Sequence, residues 1–234
     1  MKVIQCVQGG QDWIRARLGR PTASQFDKLV TPKTLKASKS ADAFMHKLLA
    51  EWATGESSDD AASGFMDRGI EMESEAADWY AFTTNTEPVP VGFCTTDDGR
   101  AGCSPDRLVG DDGGLEIKCP SAKVHVGYLL GTPPTQYRLQ IQGSLYVTGR
   151  QWWDWLSYHP DMPSVLIRME RDEECIDALS AVLPPFCDAL DAAKRELYSK
   201  GVESEVDRWA REAAYEKAAH EELLRKTEAA MFGG

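Results

Sequence analysis

No window of this 234-residue chain approaches the roughly 18 consecutive apolar residues that a membrane-spanning helix needs. Its first residues, Met1 to Trp13, lack the basic start and apolar stretch of a secretory signal. The expected location is therefore the cytoplasm, with no membrane partner. The six cysteines, Cys6, Cys94, Cys103, Cys119, Cys175 and Cys187, are scattered, and none forms the close CxxC pairs that bind zinc or run redox chemistry. They read as buried thiols. Four histidines, His46, His125, His159 and His220, are equally isolated and give no metal site by spacing. No internal repeat is present. Positive charge is short as well: 26 Lys and Arg against 37 Asp and Glu leave a formal net charge of −11. That argues against broad, nonspecific adhesion to nucleic acid, because phosphate binding needs concentrated cations. It leaves a metal-using nuclease open, since carboxylates that hold metal ions add negative charge where the ions cancel it.

What is present is an ordinary globular composition, 42% hydrophobic and 27% charged. The length suits one domain over residues 1–234, with a core over about 13–170 and a helical extension over about 172–231. Gln11 to Val30 reads as a turn followed by a helix, with Thr22 or Ser24 available as a cap. Further helices are predicted at Ser38–Ala53 and Phe65–Thr83, with a loop over Thr54–Ser63 between them. Strands follow. Val89, Val91 and Phe93 alternate, Ala101–Val109 and Leu115–Lys118 form a hairpin around Asp111-Asp112-Gly113-Gly114, and Gln151–His159 and Val165–Glu170 complete the set. A helix spans Thr135–Thr148. From Glu173 onward the Ala, Glu, Lys, Arg and Leu content predicts amphipathic helices, broken at Pro184-Pro185 and near Gly201. The fold class is mixed α and β, α+β in character, with a central, mostly antiparallel or mixed sheet flanked by helices.

The chemistry concentrates in Ser104-Pro105-Asp106 and Leu115-Glu116-Ile117-Lys118. In a strand, residues i and i+2 face one side, so Glu116 and Lys118 project together while Ile117 points into the core. Asp106 and Glu116 would offer hard oxygen ligands to Mg²⁺, with the Ile117 carbonyl as a further ligand, and Lys118 would hold or deprotonate an attacking water. An E-x-K pattern on a strand also arises as a salt-bridged surface hairpin, so neighbouring motifs must decide.

Those neighbours are Gly102-Cys-Ser-Pro-Asp106, Gly114-Leu-Glu-Ile-Lys-Cys-Pro120, Tyr137-Arg-Leu-Gln140-Ile-Gln142 with Val147-Thr148, Arg17-Leu-Gly19 leading into Thr22-Ala-Ser24, and Gly69 with Glu73 and Ala76. Together they cover about Trp13 to Met162. As a set the chain resembles the phage lambda exonuclease group, the YqaJ-like viral recombinases, within the PD-(D/E)xK nuclease superfamily. The resemblance implies that Asp106, Glu116 and the Ile117 carbonyl bind metal, that Lys118 activates water, and that Glu73 acts near a second metal. Glu73 also has a plainer reading as a surface helix glutamate beside Glu71 and Glu75.

The resemblance further implies that Arg17, Ser24, Ser104 and Gln140 hold a terminal 5′-phosphate. A guanidinium grips phosphate bidentately, and neutral donors add hydrogen bonds without competing for the metal. Ser24 could instead serve only as a helix cap and Gln140 only as a buried amide. The activity so implied is 5′-to-3′ digestion of one strand of linear double-stranded DNA from phosphorylated ends. It would release mononucleotides and leave 3′ single strands, with two Mg²⁺ ions, or Mn²⁺ in their place. The family's homotrimeric ring and a phage single-strand annealing protein are the expected partners in a bacterial host. An internally cutting endonuclease and a non-catalytic DNA-end-binding recombination scaffold are the alternatives. The tryptophans Trp152, Trp153 and Trp155 read as core or interface residues rather than base-stacking platforms.

Overall fold

The computed structural model describes residues 1–57 and 63–232, with the side chains of 63–71 and of several positions from 217 onward left aside. The middle of the predicted Thr54–Ser63 loop, residues 58–62, and the side chain of Glu71 lie outside the described residues.

The chain opens with a short strand β1 (Lys2–Ile4), helix α1 (Gln11–Arg17), a 3₁₀ turn at Ala23–Lys28, and helices α2 (Ala41–Thr54) and α3 (Ser63–Thr84). Five short strands follow: β2 (Pro88–Pro90), β3 (Phe93–Thr95), β4 (Gly102–Cys103), β5 (Arg107–Val109) and β6 (Gly113–Lys118). Helix α4 (Ala122–Leu129), a 3₁₀ turn at Thr135–Tyr137 and α5 (Arg138–Thr148) lead to β7 (Trp152–Ser157) and β8 (Val165–Glu170). Two long helices close the chain, α6 (Glu173–Ser199) and α7 (Glu205–Phe232).

The main sheet has the order β2-β5-β6-β7-β8 and is antiparallel except for the parallel pair β6–β7. That pair forms because α4 and α5 make the long crossover a parallel connection requires. A second sheet, β1-β3-β4, is antiparallel throughout. Strand period 2 then divides the main sheet into two faces. Leu115 and Ile117 pack with Ala76, Ala77 and Tyr80 of α3 on one face. On the other, Trp153 and Trp155 of β7 pack with Ile141 and Leu145 of α5. A third cluster joins Phe26, Leu48 and Leu139 to Leu179, Leu183 and Leu190 of α6.

Several local expectations change. The run Ala101–Val109 is two strands in two different sheets, because Pro105 removes a ladder donor and the chain switches sheets at Ser104-Pro105-Asp106. The run around Val89 and Phe93 divides in the same way. Gly113 and Gly114 belong to β6, not to a turn. A Cβ at either would stand 2.1 Å from the Trp152 ring or 2.4 Å from the Trp153 ring, so these glycines let the indoles lie flat on the neighbouring strand. Pro184 and Pro185 sit inside α6 without ending it. An interior proline costs a helix about 3 kcal/mol, and the apolar stripe that α6 buries outweighs that. Gln11–Arg17 is helical, whereas Ala23–Lys28 is only a 3₁₀ turn, and Thr22 makes no side-chain cap bond. Helix α4, set between Pro120 and Pro133, had no sequence signal strong enough to mark it.

Trp153 and Trp155 are core residues with no exposed surface. Trp152 is partly buried, with the Arg168 guanidinium 3.7 Å over its ring. Among the described residues no helix is long and apolar enough to cross a membrane.

Candidate active site

The sheet switch at Ser104-Pro105-Asp106 delivers Asp106 beside the last turn of β6. The backbone N–H of Ile117 donates to Asp106 Oδ2 at 2.5 Å, which fixes the carboxylate against the strand that carries Glu116 and Lys118. Glu116 is buried, 2% exposed, yet satisfied: Lys118 Nζ donates to its Oε1 at 2.5 Å and Gln140 Nε2 to the same oxygen at 2.6 Å. The ammonium also lies 5.3 Å over the Tyr137 ring. Gln8 stabilises the loop from the other side, donating to the carbonyls of Val91 and Pro105 at 2.9 and 2.7 Å.

The electrostatics follow from burial with too little compensating charge. Desolvation pushes the Asp106 pKa well above the ordinary carboxylate range, and the neighbouring Glu116 and Glu73 add to it against the opposing pull of Lys118. Burial works against the Lys118 ammonium, but Glu116 and Asp106 outweigh it and raise its pKa, so the side chain stays protonated. Glu73, from α3, accepts from Arg107 Nη1 at 2.7 Å, and the same nitrogen donates to the Asp106 carbonyl at 2.6 Å. Glu73 is thus tied to the site through Arg107.

At the other end of the cleft, Arg17 Nη1 and Trp13 Nε1 both donate to Ser104 Oγ at 2.9 Å, and the Arg17 guanidinium lies 4.2 Å over the Trp13 ring. The N-terminal segment is held there by backbone pairing: Gly102 N–H donates to the Pro21 carbonyl, and Thr22 bridges to Gly102 in parallel. Ser24 is exposed, its hydroxyl 3.3 Å from that of Thr22. Gly143 of α5 lets the 3₁₀ turn approach closely, since a Cβ there would meet the Phe26 ring at 2.7 Å. This brings Ser24 to the helix that bears Gln140.

One cleft of about 380 Å³ is lined by Arg17, Ser24, Glu73, Ser104, Asp106, Glu116, Lys118 and Gln140, together with Gln8, Trp13 and Thr22. All eight side chains singled out from the sequence meet in it; Ile117 does not line it, but its N–H holds Asp106 while its side chain packs in the core. Trp13 and Gln8 were missed. Neither carries a motif signal, and each finds its partners more than eighty residues away. A larger cleft of about 770 Å³ adjoins through Ala23, Ser24 and Gln140.

The donor set suits a hard divalent cation. Asp106 and Glu116 offer carboxylate oxygens, and among the described residues no group of three His, Cys, Asp or Glu side chains converges to make a closed cage. Mg²⁺ binds in this way, through one or two carboxylates, with water and substrate phosphate completing its octahedron.

The YqaJ-like viral recombinase domain matches residues 12–151. The chain belongs to this family. An alkaline exonuclease from Laribacter hongkongensis, LHK-Exo, is 33% identical, with a TM-score of 0.70 over 82% of this chain and 98% of its own. The structure of that enzyme in complex with dAMP superposes at a TM-score of 0.69, with the same identity and coverage. A phage-related exonuclease from Haemophilus somnus 129PT shares the fold at 14% identity, with a TM-score of 0.57 over 77% of this chain and 96% of its own. A search of curated proteins returned no match.

Proposed function

We propose that the protein is a metal-dependent exonuclease that digests one strand of linear double-stranded DNA from its 5′-phosphorylated end, releasing mononucleotides. One observation carries the reading: a single cleft joins a carboxylate pair and lysine, Asp106, Glu116 and Lys118, to an arginine-serine pair, Arg17 and Ser104. An LHK-Exo structure with dAMP supports a mononucleotide product by likeness.

The terminal phosphate docks on Arg17, Ser24, Ser104 and Gln140, which sets the next phosphodiester over Asp106 and Glu116. These carboxylates, with the Ile117 carbonyl, hold Mg²⁺, and Glu73 serves a second ion; Mn²⁺ substitutes. When bound, the ions stabilise the attacking and departing oxygens of an in-line displacement. Lys118, kept as an ammonium by its two carboxylate neighbours, orients the attacking water through a donated hydrogen bond. Gln140 sits on both halves of the site, because it donates to Glu116 while lining the phosphate end. After cleavage the strand advances by one nucleotide, which gives 5′-to-3′ direction and leaves a 3′ single strand. By family likeness the working form is a homotrimeric ring, and the product strand passes to a phage single-strand annealing protein in the host cytoplasm. The chain acts as one unit, the core 13–170 with its helical extension 172–231.

The test is digestion of linear duplex, with and without 5′-phosphate, beside closed circular DNA, in Mg²⁺ or EDTA, for the wild type and Lys118→Ala. Mononucleotide release from the phosphorylated linear substrate, lost in EDTA and in the variant, is the expected result. Cutting of the circle makes the protein an endonuclease, and no cleavage leaves an end-binding scaffold.

A further inference from the structure

We propose that Arg107 is a positioning residue: from behind the cleft its guanidinium serves Glu73 as a fixed counter-cation and so sets how tightly the Glu73 side of the site takes a divalent cation. The inference rests on the reading of Asp106, Glu116 and Glu73 as metal-binding carboxylates. Strand register explains the placement. Arg107 of β5 stands directly opposite Leu115 of β6, and directly paired residues share a sheet face. Leu115 packs with Ala76, Ala77 and Tyr80 of α3, so the Arg107 side chain leaves the sheet toward that helix. Glu73 lies three and four residues before Ala76 and Ala77, on the same face of α3 one turn earlier. The guanidinium meets it there, Nη1 donating to Glu73 Oε1 at 2.7 Å. The same nitrogen donates to the Asp106 carbonyl at 2.6 Å, in the residue whose carboxylate the Ile117 N–H holds. One nitrogen therefore ties the carboxylate on the helix to the backbone of the one beside the strand. The two side chains are 17% and 31% exposed, so water screens them less than it screens a surface ion pair.

Arg107 acts through Glu73. Glu73 lines the cleft with Asp106, Glu116 and Lys118, and Arg107 is not among the lining residues. It lines instead a separate hollow of about 270 Å³ with Ser74, Ala77 and Asp78 of α3 and with Glu87. A guanidinium keeps its charge at every working pH, so Glu73 already carries a cation before any ion arrives. A divalent cation entering the cleft competes with Arg107 for the carboxylate and meets a fixed positive charge behind it. The affinity of oxygen-ligand sites for hard cations follows ligand charge count, and Arg107 offsets one of the three carboxylate charges here. Cleavage rate depends on placement instead: a shift of about 1 Å can cost about 10²-fold, and Arg107 fixes where Glu73 stands. Removing the guanidinium should therefore tighten cation binding and slow cleavage. Loss of a merely structural contact would weaken both together.

The experiment counts Mn²⁺ bound to the full-length protein without DNA, from the free-ion signal in electron paramagnetic resonance, and measures turnover on 5′-phosphorylated duplex at saturating Mn²⁺. Wild type is compared with Arg107→Gln, Arg107→Lys, Glu73→Gln and the double variant Arg107→Gln with Glu73→Gln. Arg107→Gln should take up its second Mn²⁺ at a free concentration about fivefold or more below that of the wild type, while its turnover falls about tenfold or more. Arg107→Lys, which keeps the charge, should keep wild-type uptake. In the Glu73→Gln background the Arg107→Gln change should leave uptake unaltered, because the carboxylate through which it acts is gone. Arg107→Met, which keeps the apolar stem, replaces Arg107→Gln if that variant lacks a cooperative melt.

Unchanged or weaker uptake by Arg107→Gln, unchanged turnover, equal tightening in Arg107→Lys, or equal tightening in the Glu73→Gln background each overturns the proposal. Wild type that binds no Mn²⁺ sinks the metal reading and this inference with it. Wild type that binds Mn²⁺ without cutting DNA sinks the exonuclease reading alone, and the uptake curves still decide the role of Arg107.

Discussion

Asp106 carries the main energetic cost of the site at the scale of a single residue. Its folded pKa is raised by burial and by Glu116 and Glu73, so the folded state holds its proton to higher pH than the unfolded chain does. Between the ordinary carboxylate range and that raised value, the folded state binds more protons, and stability falls as pH rises; above it the penalty is constant. Asp106→Asn removes the charge and keeps an oxygen to accept from Ile117 N–H. In EDTA the variant should therefore melt higher than wild type at neutral pH, with the gap shrinking toward pH 4, while cleavage is lost. An equal or lower melting temperature would refute the account. Mg²⁺ should raise the melting temperature of the wild type and not of the variant, by binding only the folded state. A second prediction concerns Arg17, whose guanidinium is already aimed into the cleft by Trp13 and Ser104. Arg17→Ala should reduce the rate ratio between phosphorylated and unphosphorylated ends, and an unchanged ratio would remove Arg17 from the phosphate pocket. The proposed trio of Asp106, Glu116 and Lys118 was legible because strand period puts Glu116 and Lys118 on one face, a proline-aspartate lies close upstream, and the neighbouring motifs match the family. Trp13 and Gln8 were not legible, because their roles exist only once the sheet switch brings residues 104 and 105 to the N-terminal segment.

At the scale of elements, the parallel β6–β7 pair is the frame on which Glu116 and Lys118 stand, and its glycines are packing devices. Gly114→Ala would drive a methyl into the Trp153 ring, which is fully buried and cannot step aside. The expected cost is about 1–3 kcal/mol, read by urea denaturation; no change would show that the indole has room to move. These glycines looked like a turn because Asp-Asp-Gly-Gly is strong turn chemistry, and only the tryptophans of a distant strand override it. The same kind of override carries α6 through Pro184-Pro185. Strand types and most helices were readable from periodicity; the division of strands between two sheets was not, since pairing partners are a tertiary property.

At the scale of the whole molecule, the sequence leaves the C-terminal third with no motif, yet its two helices do different work. Five large side chains of α6, Ile176, Leu179, Leu183, Phe186 and Leu190, are buried in the helix-sheet core. At about 1.5–3 kcal/mol each their burial is comparable with the 5–15 kcal/mol that holds a typical domain folded. Among the described residues, helix α7 attaches differently, through specific polar and ring contacts. Trp52 Nε1 donates to Asp207, Ser204 Oγ to the Trp52 carbonyl, and the Trp209 ring fills the space over Gly55 and lies 5.0 Å from the Arg15 guanidinium. Arg15 belongs to α1, the same seven-residue helix that presents Trp13 and Arg17 and buries none of its own residues. A chain ending at residue 171 should therefore fail to give a cooperative melt, because it loses a share of the core as large as its total stability. A chain ending at residue 201 should still melt cooperatively at a lower temperature. It should also lose discrimination for phosphorylated ends more than overall rate, since α1 would keep its contacts with Ser104 but not its support from Trp209. If the shorter chain melts like the longer one, α6 is a dispensable appendage. If removal of α7 leaves end discrimination intact, α1 is held in place by the cleft alone.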